Sequence, residues 1–257
     1  EVVNDEVAGR PIAVTYCPLC RSGLVFSRRV RGETLTFGVS GKLLDANLVL
    51  YDRQTETYWS QLRGEAIVGP LVPTELAVLP STLTTWAEWR RAHPDTRVLS
   101  RDTGIYPPDS YGSSPYGGYA DSERVGFGVG EVDDRLPAKE VVYGVTVGGD
   151  SRAYPEEVVK RRDAINDRVG GVPILVVEDQ RDGGVSVFVR EAGNRTLTFA
   201  VEGGELRDGN GSRWSFEGEA IEGPHEGATL DRLETHGFYW FAWSSVHPRT
   251  GVYNDSG

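Results

Sequence analysis

Methionine is absent from the chain, only three of its 27 basic residues are lysine (Lys42, Lys139, Lys160), and cysteine occurs twice, at Cys17 and Cys20. Two cysteines cannot staple 257 residues, but 39% hydrophobic content with six tryptophans fills a core without staples. No apolar run approaches the ~20 residues of a membrane span and no charged-then-apolar leader opens the chain, so no spanning helix is expected. Basic charge is short as well: 38 acidic residues give a formal net charge of −11, which repels phosphate backbones and anionic lipid and argues against nucleic acid as a partner. Arginine over lysine with excess acid suits a salt-adapted or GC-rich organism. Because the first residue is Glu1 and not Met, the expectation is that processing or trimming set the start and removed any compartment signal.

The familiar catalytic signatures are missing too. There is no Gly-x-Ser-x-Gly elbow, no Walker loop and no His-Glu-x-x-His. Gly126-Phe127-Gly128-Val129-Gly130 has the wrong spacing for a dinucleotide loop and no helix pattern after it, so no nucleotide cofactor is expected. A catalytic reading would rest on the cysteines alone, and whether the chain is an enzyme stays open.

What is present is a repeat. Asn4-Asp5, Gly9, Pro11-Ile12 and Val14 recur as Asn166-Asp167, Gly171, Pro173-Ile174 and Val176 at a constant offset of 162. The same register carries Val25-Phe26 onto Val187-Phe188 and Thr34-Leu35-Thr36-Phe37 onto Thr196-Leu197-Thr198-Phe199. After a shorter loop in the second copy the offset becomes 154, matching Gly64-Glu65-Ala66-Ile67 with Gly218-Glu219-Ala220-Ile221 and His93-Pro94 with His247-Pro248. All six tryptophans follow the pairing (Trp59 with Trp214, Trp86 with Trp240, Trp89 with Trp243), which reads as matched core packing.

Within each copy Leu35, Phe37 and Val39 alternate with Thr34, Thr36 and Gly38, the period-2 pattern of a half-buried strand. Further strands are predicted at 11–16, 23–28, 48–52, 57–61 and 75–79. A short helix opens on the capping pattern Thr85-x-x-Glu88 and stops at His93-Pro94. The predicted fold is therefore α+β and mainly β, a tandem duplication of a strand-rich unit closed by one short helix. Its segments are a first unit at 1–99, a Gly/Pro/Tyr-rich crossover at 100–140 read as ordered, and a second unit at 141–257. The second unit adds a lead-in from Val141 to Pro155 and a helix at 156–163, whose first-unit counterpart would lie before Glu1.

Chemistry concentrates at Tyr16-Cys17-Pro18-Leu19-Cys20-Arg21-Ser22, between two predicted strands. The matched positions of the second copy are Asp179 and Asp182, so the fold itself does not require sulfur there. Four readings compete. Thiol–disulfide exchange usually wants a helix N-terminus beside the pair, and a strand follows instead. A closed zinc site needs four ligands, with His225 and His236 left over once His93 and His247 are read as helix stops. Copper asks least, two thiolates on a tight turn with His236 as an optional third ligand. The bland alternative is a constitutive disulfide or a pair of buried thiols in a cell-surface binding module. Asp45-x-Asn47 and Tyr51-Asp52-Arg53 read as solvated turn residues, there being no calcium loop. Three of six asparagines (Asn194, Asn210, Asn254) head Asn-x-Ser/Thr triplets, which leans toward an extracytoplasmic protein: secreted, periplasmic or on the cell surface.

The string from Pro11 to Phe26 through Cys17-Pro18-Leu19-Cys20, with Leu35 to Gly41, Leu48 to Thr55, Gly64 to Gly69 and Phe238 to Trp243, resembles domain-of-unknown-function family 3179 over nearly the whole chain. The resemblance implies exported or lipid-anchored bacterial and archaeal proteins and brings no established activity. It further implies that a Trp-His normally precedes the segment matching Glu1 to Asp5. A site using that His beside Cys17 and Cys20 would be incomplete in this chain.

Overall fold

Residues 1–126 and 129–254 are described by a computed structural model. In chain order the first half runs Val2–Val7 (β1), Arg10–Cys17 (β2), Ser22–Ser27 (β3), Phe37–Leu44 (β4), Asn47–Asp52 (β5), Tyr58–Ser60 (β6), Glu65–Val68 (β7), Val78–Leu79 (β8) and the helix Trp86–Ala92 (α1). The second half runs Val141–Val147 (β9), Asp150–Pro155 (β10), Glu156–Arg162 (α2), Ala164–Val169 (β11), Val172–Asp179 (β12), Gly184–Val189 (β13), Phe199–Glu202 (β14), Glu205–Asp208 (β15), Arg213–Trp214 (β16), Ala220–Glu222 (β17), Arg232–Leu233 (β18), His236–Tyr239 (β19), Trp240–Val246 (α3) and Gly251–Val252 (β20). Two short ribbons, Arg29–Val30 with Glu33–Thr34 and Glu191–Ala192 with Arg195–Thr196, stand outside this numbering.

The chain is mainly β, as expected. Each half builds a four-stranded sheet, β1-β2-β3-β8 or β11-β12-β13-β18, and a second one, β4-β5-β6-β7 or β14-β15-β16-β17. A fifth sheet, β19-β9-β10-β20, belongs to the second half alone. Strict alternation turns Pro11, Ala13, Thr15 and Cys17 of β2 inward, together with Ser22, Leu24 and Phe26 of β3. Cys17 and Ser22 are paired where the two strands meet their turn.

Bonds between the sheets and within the second one recur at sequence-matched positions. Asn4 Nδ2 donates to the Phe37 carbonyl while Phe37 N–H donates to Asn4 Oδ1, and Asn166 does the same for Phe199. Trp59 meets Phe37 edge-on at 5.9 Å and donates to Asp52 Oδ2 at 3.0 Å; Trp214 meets Phe199 at 5.5 Å and donates to Asp208 Oδ2 at 2.9 Å. Six of the eight residues in the change of offset have a location. Phe37 pairs with Asp52 across the β4–β5 hairpin, whereas Phe199 pairs with Asp208, so the second hairpin is six residues shorter.

Each half also covers the β-turn of the other. Tyr239 N–H donates to the Cys20 carbonyl at 3.0 Å, and Phe241 and Ala242 lie in the first core. In return Thr84 Oγ1 donates to the Asp182 carbonyl and Arg91 Nη2 to that of Arg181. The crossover contributes Tyr116 and Tyr119 to the first core.

The capping box at Thr85 and Glu88 forms and His93 ends α1, as the pattern predicts. The tryptophan reading needs a correction, because Trp86 is 51% exposed while its match Trp240 is fully buried. The reason is the β9–β10 hairpin, against which α3 packs; α1 has no such hairpin on it among the described residues. Gly144 of β9 lets this happen, since a Cβ there would lie 2.2 Å from the Trp243 ring. Gly144→Ala is therefore expected to destabilise the protein by about 2 kcal/mol, read by urea unfolding, because the rigid indole has no room to retreat.

Candidate functional site

The turn from β2 to β3 closes through Cys17, Pro18, Leu19, Cys20 and Arg21, with Arg21 in the left-handed region at φ 55°. Both cysteines are free and enclosed, Cys17 at 2% and Cys20 at 0% exposure. The extra length of the β4–β5 hairpin is what reaches them. Its turn residues Asp45 and Ala46 both have positive φ (52° and 58°), Ala46 is fully buried, and the Cys17 thiol donates to the Ala46 carbonyl at 3.8 Å.

Behind the sulfurs lies a closed polar network of Thr15, Ser22, Asn47 and Gln61, all 2% exposed or less. Asn47 Nδ2 donates toward Cys20 Sγ at 3.1 Å and to Gln61 Oε1 at 2.7 Å, while its Oδ1 accepts Leu62 N–H at 2.9 Å. Ser22 Oγ lies 3.0 Å from Cys20 Sγ and donates to Gln61 Oε1 at 2.7 Å. Gln61 Nε2 donates to Thr15 Oγ1 at 3.1 Å, and Thr15 Oγ1 donates to the Leu24 carbonyl at 2.9 Å. Among the described residues the second half has nothing of the kind. Val177 and Gly184 stand where Thr15 and Ser22 do, Phe216 follows Trp214-Ser215 as Gln61 follows Trp59-Ser60, and the short hairpin has no partner for Asn47. A fold that does without these groups in one half carries them in the other beside the sulfur, where each buried polar atom must find a partner.

This environment splits the two thiols. Cys17 is lowered to about 7 by the hydrogen bond from the Cys20 side chain, against the effect of burial, with help from the N–H groups of Cys20, Leu48 and Leu19. Cys20 is pushed well above the usual thiol range by burial and by Cys17, against the donors Ser22 and Asn47. Tyr119, whose hydroxyl donates to the Leu19 carbonyl at 3.0 Å, is raised to about 12 by burial and by the neighbouring thiols. On the outer face of the turn Tyr16 and Arg21 border a cleft of about 340 Å³ shared with Tyr143, Glu156 and Lys160; Arg21 Nη2 is 3.7 Å from Glu156 Oε1.

Of the sequence-predicted residues, Cys17 and Cys20 come together and His236 does not join them. His236 lies in β19 at 6% exposure, its Nε2 without a hydrogen bond and 3.8 Å from Glu234 Oε2. Among the described residues no group of three or more His, Cys, Asp or Glu side chains is placed to hold a metal ion. His93 and His247 cap α1 and α3 and stack on Trp89 and Trp243 at 3.9 Å. Asn47 and Asp52 are not solvated turn residues: Asn47 is in the thiol network and Asp52 lies under Trp59. Of the glycine-rich run after Arg124, Phe127 and Gly128 lie outside the described residues.

The molecule is thus defined as a mainly-β chain with a buried thiol pair set in a polar network in one half. The family described as protein of unknown function DUF3179 matches residues 1–250, and the chain belongs to it. No curated protein and no solved structure matches this chain.

Proposed function

We propose that the 17–20 turn is a soft-metal site whose two sulfurs take Cu(I) ahead of Zn(II). The observation carrying this reading is that two adjacent, enclosed sulfurs meet polar groups: Asn47 Nδ2 donates toward Cys20 Sγ at 3.1 Å and Ser22 Oγ lies 3.0 Å from it, while the neighbouring amides favour the Cys17 thiolate. Such donors favour the thiolate, which is the ligand form, and a bound cation would displace the remaining Cys20 proton. Soft thiolates select Cu(I), whereas a structural zinc wants four ligands and, among the described residues, the two sulfurs meet without further His, Cys, Asp or Glu ligands. An extracytoplasmic setting belongs to the same reading, supported by the exposure of Asn194, Asn210 and Asn254.

Anaerobic titration of the reduced protein with Cu(I) against a coloured chelator tests it. One equivalent is expected to be retained, and none in Cys17→Ser or Cys20→Ser. The opposite acidity shifts of the two thiols favour a second reading, thiol–disulfide exchange, in which Cys17 attacks and Cys20 resolves. Loss of the copper together with a disulfide that forms reversibly in glutathione buffer would move the assignment there.

A further inference from the structure

We propose that residues 42–46, the tip of the β4–β5 hairpin, are a lid over Cys17 that lifts to admit a ligand and leaves Cys20 covered. The proposal rests on the 17–20 turn being the working site and adds how it is reached. With Cys17 at 2% and Cys20 at 0% exposure, no ligand touches either sulfur unless part of the wall moves. Three walls meet there. The Tyr119 side is bolted, because its hydroxyl holds the Leu19 carbonyl and Lys139 Nζ, lying 3.3 Å from the ring centroid, donates to the carbonyls of Tyr119 and Ser122. The α3 side carries Phe241 and Ala242 of the first core.

The hairpin tip is held far less. Leu43 and Leu44 face solvent at 42% and 37% exposure, which leaves Ala46 as the tip's apolar anchor in the first core. Its strand pairs among the described residues are Leu43 with Leu48 and Leu44 with Asn47, beyond an irregularity in register between Val39 and Leu43 that holds Gly41 at φ 73°. At the other end Asn47 is fixed by Gln61 and Leu62. Motion is thereby confined to the stretch between, where Asp45 and Ala46 occupy left-handed conformations that favour glycine or asparagine. Ala46 sits on Cys17, while Cys20 remains behind Asn47. These are also residues of the six that the cysteine-free half lacks.

Site-resolved mass spectrometry of iodoacetamide labelling on the reduced, metal-free protein tests the lid. Cys17 is expected to label first. Ala46→Gly suits the left-handed turn, holds the lid shut and should slow Cys17 labelling about fivefold. Leu43→Pro removes an N–H from the tip and should speed it about tenfold, with Cys20 unchanged. Cys20 labelling first, or Cys17 labelling at the wild-type rate in both variants, would overturn the proposal. Equal acceleration at both sulfurs in Leu43→Pro marks global unfolding, and Ala46→Gly then decides. Failure to retain Cu(I) at equilibrium bears on the metal reading and leaves these rates untouched.

Discussion

Trp59→Ala is expected to lower the free energy of unfolding by about 4 kcal/mol, and Trp214→Ala by a similar amount. Both indoles are buried, at 0% and 2% exposure, and each sits in the core of its half with a phenylalanine of its own sheet edge-on. Each also covers a carboxylate. Asp52, itself at 0% exposure, accepts from Trp59 Nε1 and from Thr55 N–H at 2.6 Å, so deleting the ring leaves a buried acceptor short of a donor as well as a cavity. In the second half burial pushes the Asp208 carboxyl up, yet hydrogen bonds from Trp214, Ser212 and Asn210 bring it below its ordinary range. Trp214→Phe separates the two contributions: it keeps most of the ring, removes the donor, and should cost about 2 kcal/mol. Urea unfolding followed by near-ultraviolet circular dichroism reads all three variants. A single transition is expected, because Phe241 and Ala242 of the second half are core residues of the first. A Trp59→Ala loss below about 1 kcal/mol would mean that the sheets close without the indole.

Local periodicity made much of this fold legible. The strands expected at 11–16, 23–28 and 48–52 lie inside or within one residue of β2, β3 and β5, and the helix between Thr85 and His93 is where its caps put it. These elements are set by side-chain alternation and by capping hydrogen bonds, which act over a few residues. The strand β1 falls in the repeat but carries no strand pattern, since Asn4, Asp5 and Glu6 break its apolar alternation; it pairs β2 along its whole length. The fifth sheet joins β19 to β9 across almost a hundred residues, and no local pattern announces such a pairing.

At the site the sulfurs were legible and their surroundings were not. From the chain alone Asn47 looks like a solvated turn residue and Gln61 like the end of a strand, because burial of a polar side chain depends on partners that only folding brings near. A trace of them was present all the same: the change of offset from 162 to 154 marks the longer hairpin that delivers Ala46, Asn47 and Leu48 to the thiols. Ligand chemistry alone groups His236 with the cysteines. Its neighbours in β19 explain why it stands apart, since Tyr239 and not His236 meets the Cys20 turn, while His236 pairs with Gly144 of β9.

That position makes His236 a source of acid sensitivity, and the effect is large enough to measure. Burial first, and the Arg232 guanidinium second, lower its pKa from the usual 6.5 to about 4. The contact with Glu234 is no ion pair, for burial also raises the Glu234 carboxyl, and both groups are driven toward their neutral forms. In the unfolded chain the imidazole takes up a proton as pH falls through 6.5, while the folded protein refuses it until pH nears 4. Native stability therefore declines across that window, by about 3 kcal/mol at pH 4, and this group adds no pH dependence above it. His236→Phe keeps a ring in the strand and removes the titration, so the variant should gain on the wild type as pH falls, whatever their difference at neutrality. Urea unfolding of both proteins at about pH 7, 5.5 and 4.5 measures the gap. A gap that stays constant over that range would show that His236 takes up its proton in the folded state as readily as in the unfolded chain.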